Sequence, residues 1–167
     1  DHQESVFKNG WNTILASNSV STSGKLLELL EYDVRFSVEH RDFISVWHAY
    51  WGEAKGSSLY RKLSRPRDER YESDVRRLLS NLTEEGTYDD INVTAVERGI
   101  NAMMFGIWRD SHLTHGPNDY NNGIQAMYVY LHKLFPQHYK RKVFRKKSRQ
   151  GLISAHTWKQ PGNIRLS

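Results

Sequence analysis

No cysteine occurs among the 167 residues, which removes disulfide frameworks, Cys-type zinc clusters and thiol nucleophiles together and fits a reducing compartment. No run approaches the roughly 18 to 20 consecutive apolar residues of a membrane span, and Asp1-His2-Gln3-Glu4 lacks the basic-then-apolar layout of a signal peptide. These absences point to the cytoplasm and away from membranes and secretion. Asn81-Leu82-Thr83 and Asn92-Val93-Thr94 match the glycosylation acceptor pattern but have no meaning without a secretory route. The chain also lacks Gly-x-Ser-x-Gly, Gly-x-Gly-x-x-Gly and the phosphate-cradling Gly-x4-Gly-Lys-Ser/Thr loop. His112 and His115 are spaced to share a metal, yet no nearby residue supplies a third ligand. The pairs Asp68-Glu69, Glu84-Glu85 and Asp89-Asp90 point their carboxylates to different sides and read as partners of helix dipoles. No enzymatic activity, cofactor or metal is expected.

What is present describes a compact protein. The hydrophobic fraction is 38% and the mean hydropathy −0.73, but 12% aromatic residues exceeds what a disordered chain carries. A chain of this length suits one domain. The net charge of +5 is unevenly spread: nine of the 24 basic residues fall in 136–167, where there is no acid, leaving 15 against 19 acids in 1–135. A body over 1–135 followed by a basic tail over 136–167 is the expected organisation. Arg141-Lys142, Arg145-Lys146-Lys147 and Arg149 suit either a solvated tail or weak, salt-sensitive, sequence-blind contact with nucleic acid.

Apolar residues recur at helical spacing and never alternate for long, so the fold class is all-α. Val6, Phe7, Trp11, Ile14 and Leu15 predict a helix over 3–16; Leu26, Leu27, Leu30 and Val34 predict another over 23–36, with Ser21 or Thr22 as its cap. Phe43, Val46, Trp47, Tyr50 and Trp51 predict a third over 40–54. After Gly56-Ser57-Ser58, Leu59 and Leu63 begin a pattern that Pro66 interrupts, placing a break or kink near Arg65. The stripe resumes from Asp68 through Leu82 and stops at Gly86, read as a left-handed cap. Val93 through Ser111 covers nearly two faces of a helix over 90–113, a breadth that implies several neighbours, one of them another subunit. A last apolar stripe runs over 118–135, and a short helix is expected over 138–148.

Trp11, Trp47, Tyr50, Trp51 and Trp108 all fall on apolar helical faces. They serve either as core or as an aromatic cage for an organic cation, whose charge Glu53 or Glu97 would balance.

Val46-Trp47-His48-Ala49-Tyr50-Trp51-Gly52-Glu53-Ala54, Leu59-Tyr60-Arg61-Lys62-Leu63, Glu69-Arg70-Tyr71 and Leu78-Leu79 resemble the regulatory domain of TetR-type transcriptional repressors. Met103-Met104-Phe105-Gly106-Ile107-Trp108 and the segment Ile124 to Leu131 are similar to later helices of the choline-responsive BetI-like branch, Phe105 standing where that branch usually has an acid. The likeness spans about residues 4 to 135. It implies a multi-helix ligand-binding and dimerisation domain whose last two core helices form a four-helix bundle in a homodimer. Met103, Met104, Ile107, Ile124, Met127, Tyr128 and Leu131 would form that interface, and Trp11, Trp47, Tyr50, Trp51, Glu53 and Trp108 the site for a small-molecule effector, a quaternary ammonium such as choline. It further implies operator binding by an N-terminal helix-turn-helix head, which the 167 residues do not supply; Asp rather than Met at position 1 allows for a fragment or processed product. The alternative function is a stand-alone helical carrier or enzyme on the same fold, or a nucleic-acid binder working through the tail.

Overall fold

In a computed structural model, residues 2–53, 62, 65–114 and 119–140 are described, with only the backbone for residues 47, 48, 50–53, 114 and 119. Six helices account for most of these residues: α1 (His2–Ala16), α2 (Thr22–Glu39), α3 (Arg41–Glu53), α4 (Arg65–Glu85), α5 (Val93–Thr114) and α6 (Asp119–Leu134). Among the described residues there is no strand.

Helix α2 is the centre of the packing, touching each of the other five. Its sequence explains why. Leu26, Leu29, Leu30, Val34 and Phe36 are buried around much of its circumference, a breadth that suits a helix surrounded by others. Ser21 caps it, its Oγ accepting from the Gly24 N–H at 3.2 Å. Helices α4 and α5 add Val75, Leu78, Leu79 and Leu82 and then Val96, Ile100 and Met104, while α6 adds Met127, Tyr128 and Leu131. Asn92 caps α5 by accepting from the Ala95 N–H at 3.0 Å.

The proline marks a start rather than a kink. Pro66 is the second residue of α4, in the first turn, where a missing N–H costs no hydrogen bond and the fixed φ already suits a helix. Gly86 is also used differently from the cap expected of it. Its φ lies outside the left-handed region; a Cβ there would overlap the Tyr88 ring, so glycine serves the close approach of that ring.

The packed body continues past residue 135. Tyr139 is 3% exposed and belongs to the core, and its hydroxyl donates to the Ser23 carbonyl at 2.8 Å. The Tyr128 hydroxyl donates to the Lys140 carbonyl at 2.6 Å, and the Tyr88 ring meets Phe135 edge-on with centroids 5.1 Å apart. Residues 138–140 form this strap instead of a helix start; the rest of the expected helix over 138–148, and the basic tail beyond Lys140, lie outside the described residues.

Candidate functional site

A cavity of about 370 Å³ opens between α1, α2, α3, α4 and α5, within the range of small-molecule sites. Helix α1 contributes Glu4, Phe7 and Trp11 to its wall, α2 contributes Asp33 and Phe36, and α3 contributes Phe43 and Ile44. Tyr71 and Glu72 face it from α4, and Asn101, Met104, Phe105 and Trp108 from α5. Rings dominate the lining and are locked by one another. Phe7 packs on Trp11 at 5.7 Å, on Phe36 at 5.0 Å and on Tyr71 at 5.3 Å, the last two edge-on. Such geometry suits the ring quadrupoles and holds the wall in one arrangement.

Among the described residues, some of the charged groups on this wall are met by an opposite charge and others only by neutral hydrogen-bond donors. Arg67 pairs with Asp68 at 2.7 Å and with Glu4 at 3.7 Å. Glu97, a candidate counter-charge from sequence, is 2% exposed but spent inside the structure, on Arg76 at 3.1 Å and on the Asn101 amide at 2.9 Å. The same amide donates to Glu72 at 3.1 Å. Glu72 is held above the usual carboxylate range, first by burial and then by the negative charge of Glu97.

Asp33 stands apart. Its carboxylate accepts one hydrogen bond from the Trp108 indole N–H, at 3.0 Å, and among the described residues no basic side chain pairs with it. Burial pushes its carboxyl up to about 7, the indole bond working in the opposite direction. The part of Asp33 that remains accessible lines the cavity. Sequence reasoning passed over this residue, although a signal existed: an acid interrupts the stripe Leu26, Leu30, Asp33, Ser37, whose other members are buried.

Trp11 and Trp108 are brought to one cavity from helices far apart in sequence. Each spends its indole N–H on an aspartate, Trp11 on Asp74 at 3.2 Å and Trp108 on Asp33. Trp47, Tyr50, Trp51 and Glu53 stand on α3, about one to three turns beyond the cavity-lining Phe43 and Ile44, and their side chains lie outside the described ones. His112 shares a hydrogen bond with Ser45 at 2.9 Å through Nδ1, and His115 lies outside the described residues. Among the described residues no group of His, Asp or Glu is placed to hold a metal ion.

The family model for the BetI-type transcriptional repressor, C-terminal, matches residues 24–136. The chain belongs to that family. In this BetI-type domain the match begins in α2 and runs through α6, so it takes in every cavity-lining helix except α1. Neither the curated proteins nor the solved structures contain a match. No described helix is long and apolar enough to cross a membrane.

Four of the residues expected at a subunit interface are committed elsewhere. Met104, Met127, Tyr128 and Leu131 of the BetI-type domain are at most 6% exposed within one chain, and Met103, Ile107 and Ile124 are partly buried against the same core. The apolar breadth of α5 has an internal cause, because that helix packs on α2, α3, α4 and α6 of its own chain. What faces outward on α6 is a different pair, Ala126 and Val129, the latter 48% exposed; Ala102 and Phe105 of α5, though exposed, line the cavity.

Proposed function

We propose that this BetI-type domain is the ligand-sensing and dimerisation part of a cytoplasmic transcriptional regulator, and that its effector is a small organic cation, choline being the first candidate. The observation that carries the reading is the cavity itself, in which ring faces share one wall with a carboxylate, Asp33, that has no basic partner among the described residues. Aromatic faces attract a quaternary ammonium through their quadrupoles by roughly 0.5 to 2 kcal/mol each, and a carboxylate supplies the counter-charge. Trp11 and Trp108 join the site from the described residues; Trp47, Tyr50, Trp51 and Glu53 extend it along α3.

Coupling to DNA follows from α1. Glu4, Phe7 and Trp11 line the cavity from this helix, so an occupant touches the segment that would lead to an N-terminal operator-binding head. A ligand that binds one placement of α1 better than another shifts the population of head spacings by that difference in affinity. The homodimer forms through the exposed face of α6 around Ala126 and Val129, with Met103, Ile107 and Ile124 at its margin.

Calorimetric titration with choline and with its neutral isostere 3,3-dimethylbutan-1-ol tests the reading. Choline should bind at least about tenfold more tightly, a difference of ~1.4 kcal/mol. Trp108→Ala, Trp47→Ala and Trp51→Ala should each weaken it. Preference for the isostere would assign the cavity to neutral apolar effectors instead.

A further inference from the structure

Asp33 has an unusual position for a carboxylate. It projects from the central helix into a ring-lined cavity, with Trp108 as its hydrogen-bond donor and no cation beside it among the described residues. The other ionisable groups on that wall are Glu4 from α1 and Arg67, Asp68, Tyr71 and Glu72 from α4. Arg67, the cation of that set, is bound by Asp68 and Glu4. The described lining residues of α3 and α5 carry no titratable side chain, and α6 lines no part of the cavity. On α2 itself the neighbouring Tyr32 phenol is raised by burial and by the charge of Asp33, and its hydroxyl donates outward to the Val6 and Phe7 carbonyls of α1.

A negative charge enclosed by hydrocarbon and ring edges is poorly solvated, and two species can relieve it: a proton, or a cation that brings its own positive charge into the cavity. We propose that Asp33 is the specificity-determining residue of the site and that the effector's cationic head displaces a proton from it. This rests on the reading of the cavity as a cation site. The step balances: the neutral acid and a monocation give a carboxylate paired with that cation, and the proton leaves to solvent. Sensing is thereby tied to pH, because hydrogen ion and effector compete for one carboxylate, and a neutral ligand gains nothing from the exchange. Burial that holds the carboxyl near neutrality places this competition in the physiological range.

The test uses the whole chain and choline chloride as the probe. Asp33 is followed by its 13Cγ resonance, assigned with Asp33→Asn, from pH 4 to pH 9 without and with saturating choline. The free midpoint should lie near neutrality and fall by a unit or more with choline. Choline affinity should be about tenfold tighter at pH 8 than at pH 6, since close to one decade of carboxylate population separates them. In Asp33→Asn it should be weaker by tenfold or more and independent of pH. If choline binds but the Asp33 midpoint stays put, or if Asp33→Asn binds it as tightly as the unaltered chain, the assignment of Asp33 is overturned while the cation site stands. Absence of choline binding at both pH values would overturn the cation site and this assignment together.

Discussion

Asp33 and Trp108, 75 residues apart in the chain, meet at 3.0 Å across the cavity wall, the indole N–H donating to Oδ1. One contact thus ties the central helix α2 to α5 and fixes the orientation of a ring and a carboxylate that face the same space.

The pH dependence of stability follows from this pair. The folded protein holds a proton on Asp33 up to about 7, whereas the unfolded chain releases it near 3.8. The folded state therefore binds more protons in between, and stability falls as pH rises across that window. The loss from this group should be on the order of 2 to 4 kcal/mol between pH 4 and pH 8. Urea unfolding at a series of pH values checks it: Asp33→Asn should lose much of that slope and be the more stable form at pH 8.

Removing Arg76 should strand the buried Glu97 carboxylate, which keeps only the Asn101 amide. Arg76 is itself 45% exposed, so the cost is discounted to about 1 to 3 kcal/mol. Arg76→Ala should be more destabilising than the double change Arg76→Ala/Glu97→Gln, since the second substitution removes the charge. Paired denaturation curves of the two variants measure the difference.

Core and interface roles separate by substitution. Leu131 and Met127 are fully buried, and Leu131→Ala or Met127→Ala should cost about 2 to 5 kcal/mol of stability. Val129, two residues from each and on the solvent-facing side of α6, should behave oppositely. Val129→Asp should leave the folding of a single chain within about 0.5 kcal/mol of the original while abolishing association. Sedimentation of both variants at micromolar concentration distinguishes the two effects.

The strap after α6 should be integral to the fold. Tyr139→Ala removes a ring that is 3% exposed and its bond to Ser23, for an expected loss of about 3 kcal/mol. Ending the chain at residue 135 should cost at least as much. Thermal melts of both variants beside the unaltered chain check the two losses.

Periodicity was enough to locate the helices, because each must bury a stripe whatever it packs against. The apolar spacing of Leu26, Leu30 and Val34 or of Val75, Leu79 and Leu82 reports a buried face directly, and Ser21 and Asn92 mark starts through local hydrogen bonding. The motifs around Trp47, Trp51 and Trp108 also pointed to the BetI-type family, which the match over 24–136 shows. Spacing cannot say which neighbour a stripe meets. Whether Met127 and Leu131 face a partner or the chain's own core depends on where α2 sits, and α2 takes that place. The cavity is likewise a product of tertiary structure. Glu4, Asp33, Tyr71 and Trp108 lie on four helices, and the environment that keeps a proton on Asp33 exists only after packing has taken water away from it.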